Sequence, residues 1–363
     1  MTKREMEILN ILGENPMISQ HALADKLNIK RSSAAVHISN LLKKGYISGK
    51  GYIINNNPYI CVLGGANIDI QGFPKKKLIY KDSNPGQLKM SLGGVGRNIA
   101  ENLSLLGVKT SLVSVIGDDV YGEKIISHAR EINLEMKDTL IVKGGTTSSY
   151  LSILDADGDM ALALNAMDIT ENLNIEFIKQ KSPLINGSKI SVIDTNLNKD
   201  VIEYIITQNT KCDYFLDTVS TVKAEKIKDL VGYFHTIKPN LIEAEILSGI
   251  RIKTDKDLEA ASNKLLNKGV KNVFITSKEG VFYNNGNEHN FIKSPRQKAV
   301  NATGAGDSFM AGLAYSHFHE LSIRESTNNA IAASILTILH EDTINPNMSI
   351  NEMIKTKKEL RLC

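Results

Sequence analysis

Hydrophobic positions follow two different spacings along the 363 residues. At the front they recur three and four apart, the period of a helix with one buried face. Residues 3–13 (KREMEILNILG) place Met6, Leu9 and Leu12 on one face and reach a helix stop at Gly13. Ser19 is placed to cap a second short helix, QHALADKLN, with Leu23 and Leu27 one turn apart. RSSAAVHISNLLKKG predicts a third helix with Ala34, Ile38 and Leu41 inward and Gly45 as its stop. YISGKGYII then alternates apolar and polar residues about Gly49-Lys50-Gly51, a hairpin signal. Asn55-Asn56-Asn57-Pro58 is polar, ends in proline and reads as a linker. These signals predict a first domain over residues 1–57 and a second over 58–363.

From Tyr59 the spacing changes. YICVLGGANIDI reads as a buried strand. Amphipathic stretches (NIAENLSLLG, GEKIISHAREIN, DVIEYIITQ, AEKIKDLVGYF) then alternate with apolar runs (TSLVSVIG, ISVIDTN, YFLDTVS, HTIKPN, KNVFITS). Such alternation predicts an α/β domain, a parallel sheet with helices on both faces. GQLKMSLGG and TSSYLSILDADGDMALAL alternate at period two instead and predict a small antiparallel flap.

Charge sharpens the division. The net charge is +3, but residues 1–57 carry 8 Lys/Arg against 4 Asp/Glu, leaving 35 against 36 beyond them. The basic excess thus sits in the front piece and points to a polyanionic partner there. Three helices and a hairpin over residues 3–54 resemble a winged helix-turn-helix. That resemblance implies duplex DNA as partner. Lys30, Arg31, Ser32 and Ser33 at the start of the third helix would meet DNA, with Lys50 at the wing tip beside a phosphate. A single short recognition helix implies a symmetric homodimer on two half-sites; a protein–protein module is the alternative. The three cysteines are odd in number and widely spaced, which fits a reducing compartment. The N-terminus lacks an apolar leader and no run approaches the length of a membrane span. The expected location is cytoplasmic.

No G-x-x-x-x-G-K-[ST] occurs, so the phosphate-cradling P-loop is absent. GGVGRNIAENLSLLG lacks the third glycine of a dinucleotide fingerprint, with Ile99 in its place. NATGAGD (Asn301–Asp307) is more telling, because small residues run directly into a helix. The N–H groups of Gly304, Ala305 and Gly306 are suited to an anion, and the helix dipole adds to the attraction. A carboxylate beside a phosphate is unfavourable unless it has work to do. Asp307 makes sense as the base that takes a proton from a hydroxyl attacking that phosphate.

GGVGRNIAENLSLLG and NATGAGDSFMAG resemble the two signatures of the ribokinase-like (PfkB) carbohydrate kinases, and KPNLIE is similar to the family's N-x-x-E. The resemblance covers residues 59–345. Within the family, GGANIDIQGFP, YKDSNPGQLKMSLGGVGRN, TSSYLSILDADGDM and HTIKPNLIEAEILSGI look like the pseudouridine kinase branch. It implies a three-layer α/β/α sandwich with a small β lid and ATP-dependent phosphorylation of the 5′-hydroxyl of pseudouridine. It also implies roles. Asp307 is the base and Gly304, Ala305 and Gly306 the anion hole. Asn67, Asp69, Gly93, Gly94 and Asn98 hold the sugar, while Ser148 and Asn165 stand at the lid. Asn240, Glu243, Ser277, Gly280 and Thr303 lie on the ATP side, with Glu243 organising Mg²⁺ through water. Two departures stand out. Asn301 replaces the Asp that often opens the second signature near a monovalent-cation site, so K⁺ activation is in question. Asp217-Thr218-Val219 stands where many relatives carry D-P-N. Two alternatives stay open: a kinase for another nucleoside or for ribose, and a transcription regulator using the kinase fold as a sensor.

Overall fold

The structure, a computed structural model, describes residues 1–49, 58–155, 157, 159–209, 211–295 and 297–362. The front region holds α1 (Lys3–Glu14), α2 (Gln20–Lys26) and α3 (Arg31–Lys43). Ser19 caps α2 through the Ala22 N–H, and α3 buries Ala34, Ile38 and Leu41, as the spacing predicts. The inner face of α1 differs from expectation. Glu5, Ile8 and Leu12 are buried, Met6 is exposed, and Gly13 lies inside the helix. Glu5 turns inward because it closes a capping box with Thr2 and pairs with Lys44, so a charged residue occupies a core position. Ile8, Leu12, Leu23, Ile38, Leu41 and Ile47 form the small core. Of the expected hairpin, Lys50 and residues 51–54 lie outside the described residues.

The large region begins with β1 (Ile60–Leu63), β2 (Asn67–Pro74), β3 (Gly86–Gly93), α4 (Val95–Leu105), β4 (Thr110–Val113), β5 (Val115–Gly117) and α5 (Val120–Glu131). It continues through β6 (Leu140–Val142), β7 (Ser149–Leu154), β8 (Met160–Ala166), α6 (Ile175–Gly187), β9 (Ile190–Asp194), α7 (Lys199–Gln208), β10 (Asp213–Asp217) and α8 (Thr221–Lys226). β11 (Thr236–Ile237), α9 (Leu241–Ser248), α10 (Asp255–Asn267), β12 (Asn272–Thr276), β13 (Gly280–Asn284) and β14 (His289–Lys293) follow. The last helices are α11 (Ala305–Phe318), α12 (Ile323–Ile338) and α13 (Ile350–Glu359).

The main sheet runs β14-β13-β12-β11-β10-β9-β1-β4. Alternate residues of each strand face opposite layers. Cys61, Leu63, Ile193 and Leu216 pack against α6 and α7, whereas Ile60, Val62, Val192 and Phe215 pack against α4, α11 and α12. The three layers follow from that alternation. The sheet is not wholly parallel, because β12–β13 and β13–β14 pair antiparallel at one edge.

Two expected strands prove to be broken. YICVLGGANIDI leaves the main sheet after Leu63, crosses Gly64-Gly65-Ala66 and enters the lid as β2. TSLVSVIG divides at Ser114, and β5 pairs with β6 instead. AEKIKDLVGYF gives the six-residue α8 and a 3₁₀ turn rather than one helix.

The lid is a second sheet, β3-β2-β7-β8. In register, Ser91, Asp69, Tyr150 and Asn165 form one cross-strand row on its polar face. Met90, Ile70, Leu151 and Leu164 form the next row, on the opposite and apolar face.

Candidate active site at the carboxyl edge of the sheet

In the main sheet β1 connects to β4 on one side and, later, to β9 on the other. The chain thus reverses its winding at β1, and ligands of open α/β sheets bind at such reversals, beyond the strands' carboxyl ends. Gly65 follows β1 there, Asp194 and Asp217 end β9 and β10, and Lys238 and Ser277 follow β11 and β12. Asp194 is fully buried, and burial pushes its carboxyl up against the opposing pull of its donors. Its Oδ2 accepts the N–H groups of Gly65 (2.9 Å) and Gly96 (2.8 Å). This clamp turns the chain out of β1 and fixes the start of α4.

α11 points its amino end into this edge. Its N-cap is Gly304, at φ 81°, where a Cβ would collide with the Thr343 carbonyl. Glycine is thus required both by conformation and by space. With no capping side chain, the first-turn N–H groups have no acceptor within the helix. Two cavities meet at this turn. One, of about 440 Å³, is lined by Asn67, Asp69, Gly94, Asn98, Thr303, Gly304 and Asp307, under the lid residues Ser148, Tyr150 and Asn165. The other, of about 230 Å³, is lined by Lys238, Ser277, Gly280, Ala305 and Gly306. The helix start divides them.

Asp307 stands on the side of the larger cavity, half-buried. Crowding by protein pushes its carboxyl up to about 7, and the charge of Asp217 adds to the rise; Asn98 and Lys238 oppose it. Asn98 Nδ2 donates to Asp307 Oδ2 at 2.7 Å. A carboxylate titrating there is matched to proton abstraction near neutral pH. Asn67 Nδ2 donates to Asp69 Oδ1 at 2.6 Å, and burial raises the Asp69 carboxyl despite that bond. Gly93 lies against both side chains, where a Cβ would strike Asp69. Ser148 Oγ is buried and lines the larger cavity without a hydrogen-bond partner among the described residues.

Other expected residues are placed differently. Asn240 caps α9, and Glu243 Oε2 accepts the Asn240 N–H (2.9 Å) and the Thr218 hydroxyl (2.6 Å). Neither lines the two cavities; they stand one step behind Lys238. Ser277 also closes the β12–β13 turn through Gly280. Asn301 accepts the Thr303 N–H and donates to the Glu341 carbonyl, so its amide is already engaged. Lys30, Arg31, Ser32 and Ser33 are all exposed around the first turn of α3, which carries no acidic residue.

Lys238 was not among the expected residues. Its ammonium lies 3.0 Å from Asp217 and close beneath Gly306. Burial alone would draw it down, but Asp217, Asp307 and Glu243 outweigh that and hold it above the ordinary lysine value. Asp194, and the pair Asn196–Lys223 in the larger cavity, were likewise missed. Their common signal is position, since Asp194, Asp217 and Lys238 each stand where a short apolar run ends.

A family model described as pfkB family carbohydrate kinase matches residues 57–350, and one described as winged helix-turn-helix DNA-binding matches residues 1–48. The chain is 38% identical over 356 residues to the uncharacterised sugar kinase YeiI of Escherichia coli (strain K12), covering 98% of each chain. The pseudouridine kinase of the same organism is 36% identical over 298 residues, 82% of this chain and 95% of the relative. A crystal structure from Clostridium perfringens assigned as a sugar kinase is 40% identical, with a TM-score of 0.78 over 84% of this chain and 97% of that one. Signatures, layers and matches agree: the chain belongs to the pfkB family of carbohydrate kinases, with a winged helix-turn-helix region in front of the ribokinase-like fold.

Proposed function

We propose that the protein transfers the γ-phosphoryl group of ATP to the 5′-hydroxyl of pseudouridine. One observation carries this reading: Asp307 and the open start of α11 lie where two cavities meet, one lined by polar lid residues and the other by Lys238 and the β12–β13 turn. Asp69 and Asn67 accept and donate to ribose hydroxyls and present the 5′-oxygen to Asp307. Asp307 takes its proton as the oxygen–phosphorus bond forms and the bond to the leaving ADP oxygen breaks. The N–H groups of Gly304, Ala305 and Gly306, with Lys238 beneath, stabilise charge on the phosphoryl oxygens. The Glu243 carboxylate, whose charge acts on Lys238, suits an ion that keeps most of its waters. It would hold Mg²⁺ through water, and that ion supplies charge neutralisation on the triphosphate.

Pseudouridine is favoured over other nucleosides by the likeness to the Escherichia coli pseudouridine kinase. Ser148 Oγ, buried and unpartnered, supports a polar group of the ligand at the lid. An unpaired buried hydroxyl penalises a ligand that cannot satisfy it. The test is turnover of pseudouridine, uridine, adenosine, guanosine and ribose side by side. A higher kcat/KM for any of the others overturns the substrate assignment.

We assign duplex DNA to residues 1–54 and cytoplasm as the place of action. Lys30 and Arg31 flank an uncapped helix start, an arrangement that favours phosphate. A homodimer is favoured by the outer face of the lid, where Leu88, Leu162 and Leu164 are more than half exposed. Salt-dependent binding to DNA upstream of the gene, by the full chain and by a chain starting at Pro58, tests the front region. Equal binding by both removes it from that role.

A further inference from the structure

At the amino edge of the main sheet, opposite the cleft, three side chains converge that the kinase chemistry does not use. Asp213 opens β10, His235 immediately precedes β11, and His317 lies in the last turn of α11. One ligating atom of each lies within 4.8 Å of the others. His317 Nε2 and Asp213 Oδ2 are 2.7 Å apart, and the two imidazole centroids are 4.5 Å apart. The His235 ring is stacked on Phe215, with planes 4° apart. Its Nδ1 lies 2.9 Å from Thr236 Oγ1. A Nδ1–H donating to that hydroxyl leaves the Nε2 lone pair free, the orientation by which outer partners prepare a histidine ligand. Burial disfavours protonation of His235, and a neutral imidazole is the form that ligates. Lys189, a neighbouring cation, is held by the Phe318 carbonyl (2.8 Å) and Glu320 (2.8 Å). All three residues keep partial access to solvent. A cavity of about 170 Å³, lined by His317, Thr236, Asn272, Asn285 and Ser326, adjoins them.

We propose that Asp213, His235 and His317 bind a late first-row divalent ion such as Zn²⁺. Two imidazoles and one carboxylate suit Zn²⁺, Co²⁺ or Ni²⁺, whereas Mg²⁺ prefers an all-oxygen set with retained waters. Three protein ligands leave a fourth position for water or a further donor on the cavity side. The ion would tie the last turn of α11 to β10 and to the entry of β11. Because α11 begins at the anion-binding turn, occupancy anchors the far end of the helix that carries Asp307.

The full chain, stripped with EDTA, is titrated with Co²⁺ and followed by its visible absorption. One equivalent should bind, excess Mg²⁺ should leave it in place, and Zn²⁺ should displace it. Asp213→Asn, His235→Gln and His317→Gln should each weaken binding by more than the roughly 10–100-fold that outer-shell partners are worth. Proton–carbon spectra of the eight histidines of the unmodified chain give a second measurement that no folding defect can confuse. Co²⁺ should broaden the His235 and His317 resonances most. Absence of binding by the unmodified chain, unchanged affinity in all three variants, or sharp His235 and His317 signals in the loaded protein would each overturn the proposal.

Discussion

Asp217→Asn tests the electrostatics of the cleft without touching the reacting atoms. Burial is the larger cause that lifts Asp307 to about 7, and the Asp217 charge is the next. Asparagine keeps an acceptor for the Val219 N–H, which Asp217 Oδ1 now takes at 2.9 Å, so the turn after β10 should hold. Removing the charge also frees Lys238, 3.0 Å away, to act more fully on Asp307. Both effects lower the Asp307 pKa. Unit charges on the order of 10 Å apart, at an effective dielectric of about 20, interact by ~1.7 kcal/mol, or ~1.2 pKa units. Burial persists, so Asp307 stays above its ordinary value of 3.8. In the unmodified enzyme kcat/KM should fall below pH 7 as the base is protonated, to about a tenth of its plateau at pH 6. In Asp217→Asn the fall should begin about one unit lower, leaving roughly half the plateau at pH 6. The assay is kcat/KM for nucleoside at saturating Mg-ATP from pH 5.5 to 9. The terminal phosphate of ATP titrates nearby but equally in both enzymes, so the displacement is the readout. An unmoved profile, or one displaced to higher pH, would refute the coupling.

Asp307→Asn should fold, keep or improve ATP affinity, and lose at least about 100-fold in turnover; near-normal kcat would remove its role as base. Lys238→Met should weaken ATP binding and lower kcat, because it removes the cation beneath Gly306 and leaves Asp217 buried without its partner; isothermal titration with a non-hydrolysable analogue reports it, and unchanged affinity would place the triphosphate elsewhere. Asn301→Asp should strengthen K⁺ activation by adding Coulomb attraction, and an unchanged activation constant would show the side chain to be irrelevant to that cation. Lys30→Ala with Arg31→Ala should weaken DNA binding on all sequences and flatten the salt slope by about 2, one per lost phosphate contact; an unaltered slope would move the contact surface off α3.

What could be read in the sequence was local. NATGAGD announces itself because small residues, an open helix start and one carboxylate all fall within seven positions. The inward face of α3 was equally legible, since three apolar residues at helical spacing need no partner to declare themselves. The failures share a different cause. The break after Leu63 depends on Asp194, which takes the Gly65 N–H from about 130 positions away. The buried Glu5 looks like a surface residue until Thr2 and Lys44 are placed around it. Asp217 and Lys238 each end an unremarkable apolar run and gain meaning only when the sheet sets them side by side. Glu243 shows the converse, for its N-x-x-E pattern is satisfied by a capping box as well as by a role near the triphosphate.

The two regions pack together at the carboxyl end of α3. Gly45, at φ 73°, packs where a Cβ would strike the Pro183 carbonyl of α6, and the Asn186 amide approaches the Lys43 carbonyl at 3.4 Å. Lys211 lies over the Tyr46 ring, 5.8 Å from its centroid. Lys30 and Arg31 stand at the opposite end of a 13-residue helix, roughly 20 Å away. The helix is therefore held by its tail and presents its head. α6 in turn packs Ile178 and Ile185 onto the face of the sheet opposite α11. A ligand that shifted α6 against that core would shift α3 with it. Such coupling requires the ligand to bind two arrangements of α6 with different affinity. None of the described residues that line the larger cavity belongs to α6, so a molecule held there would act on α3 at a distance, through the packed core between them.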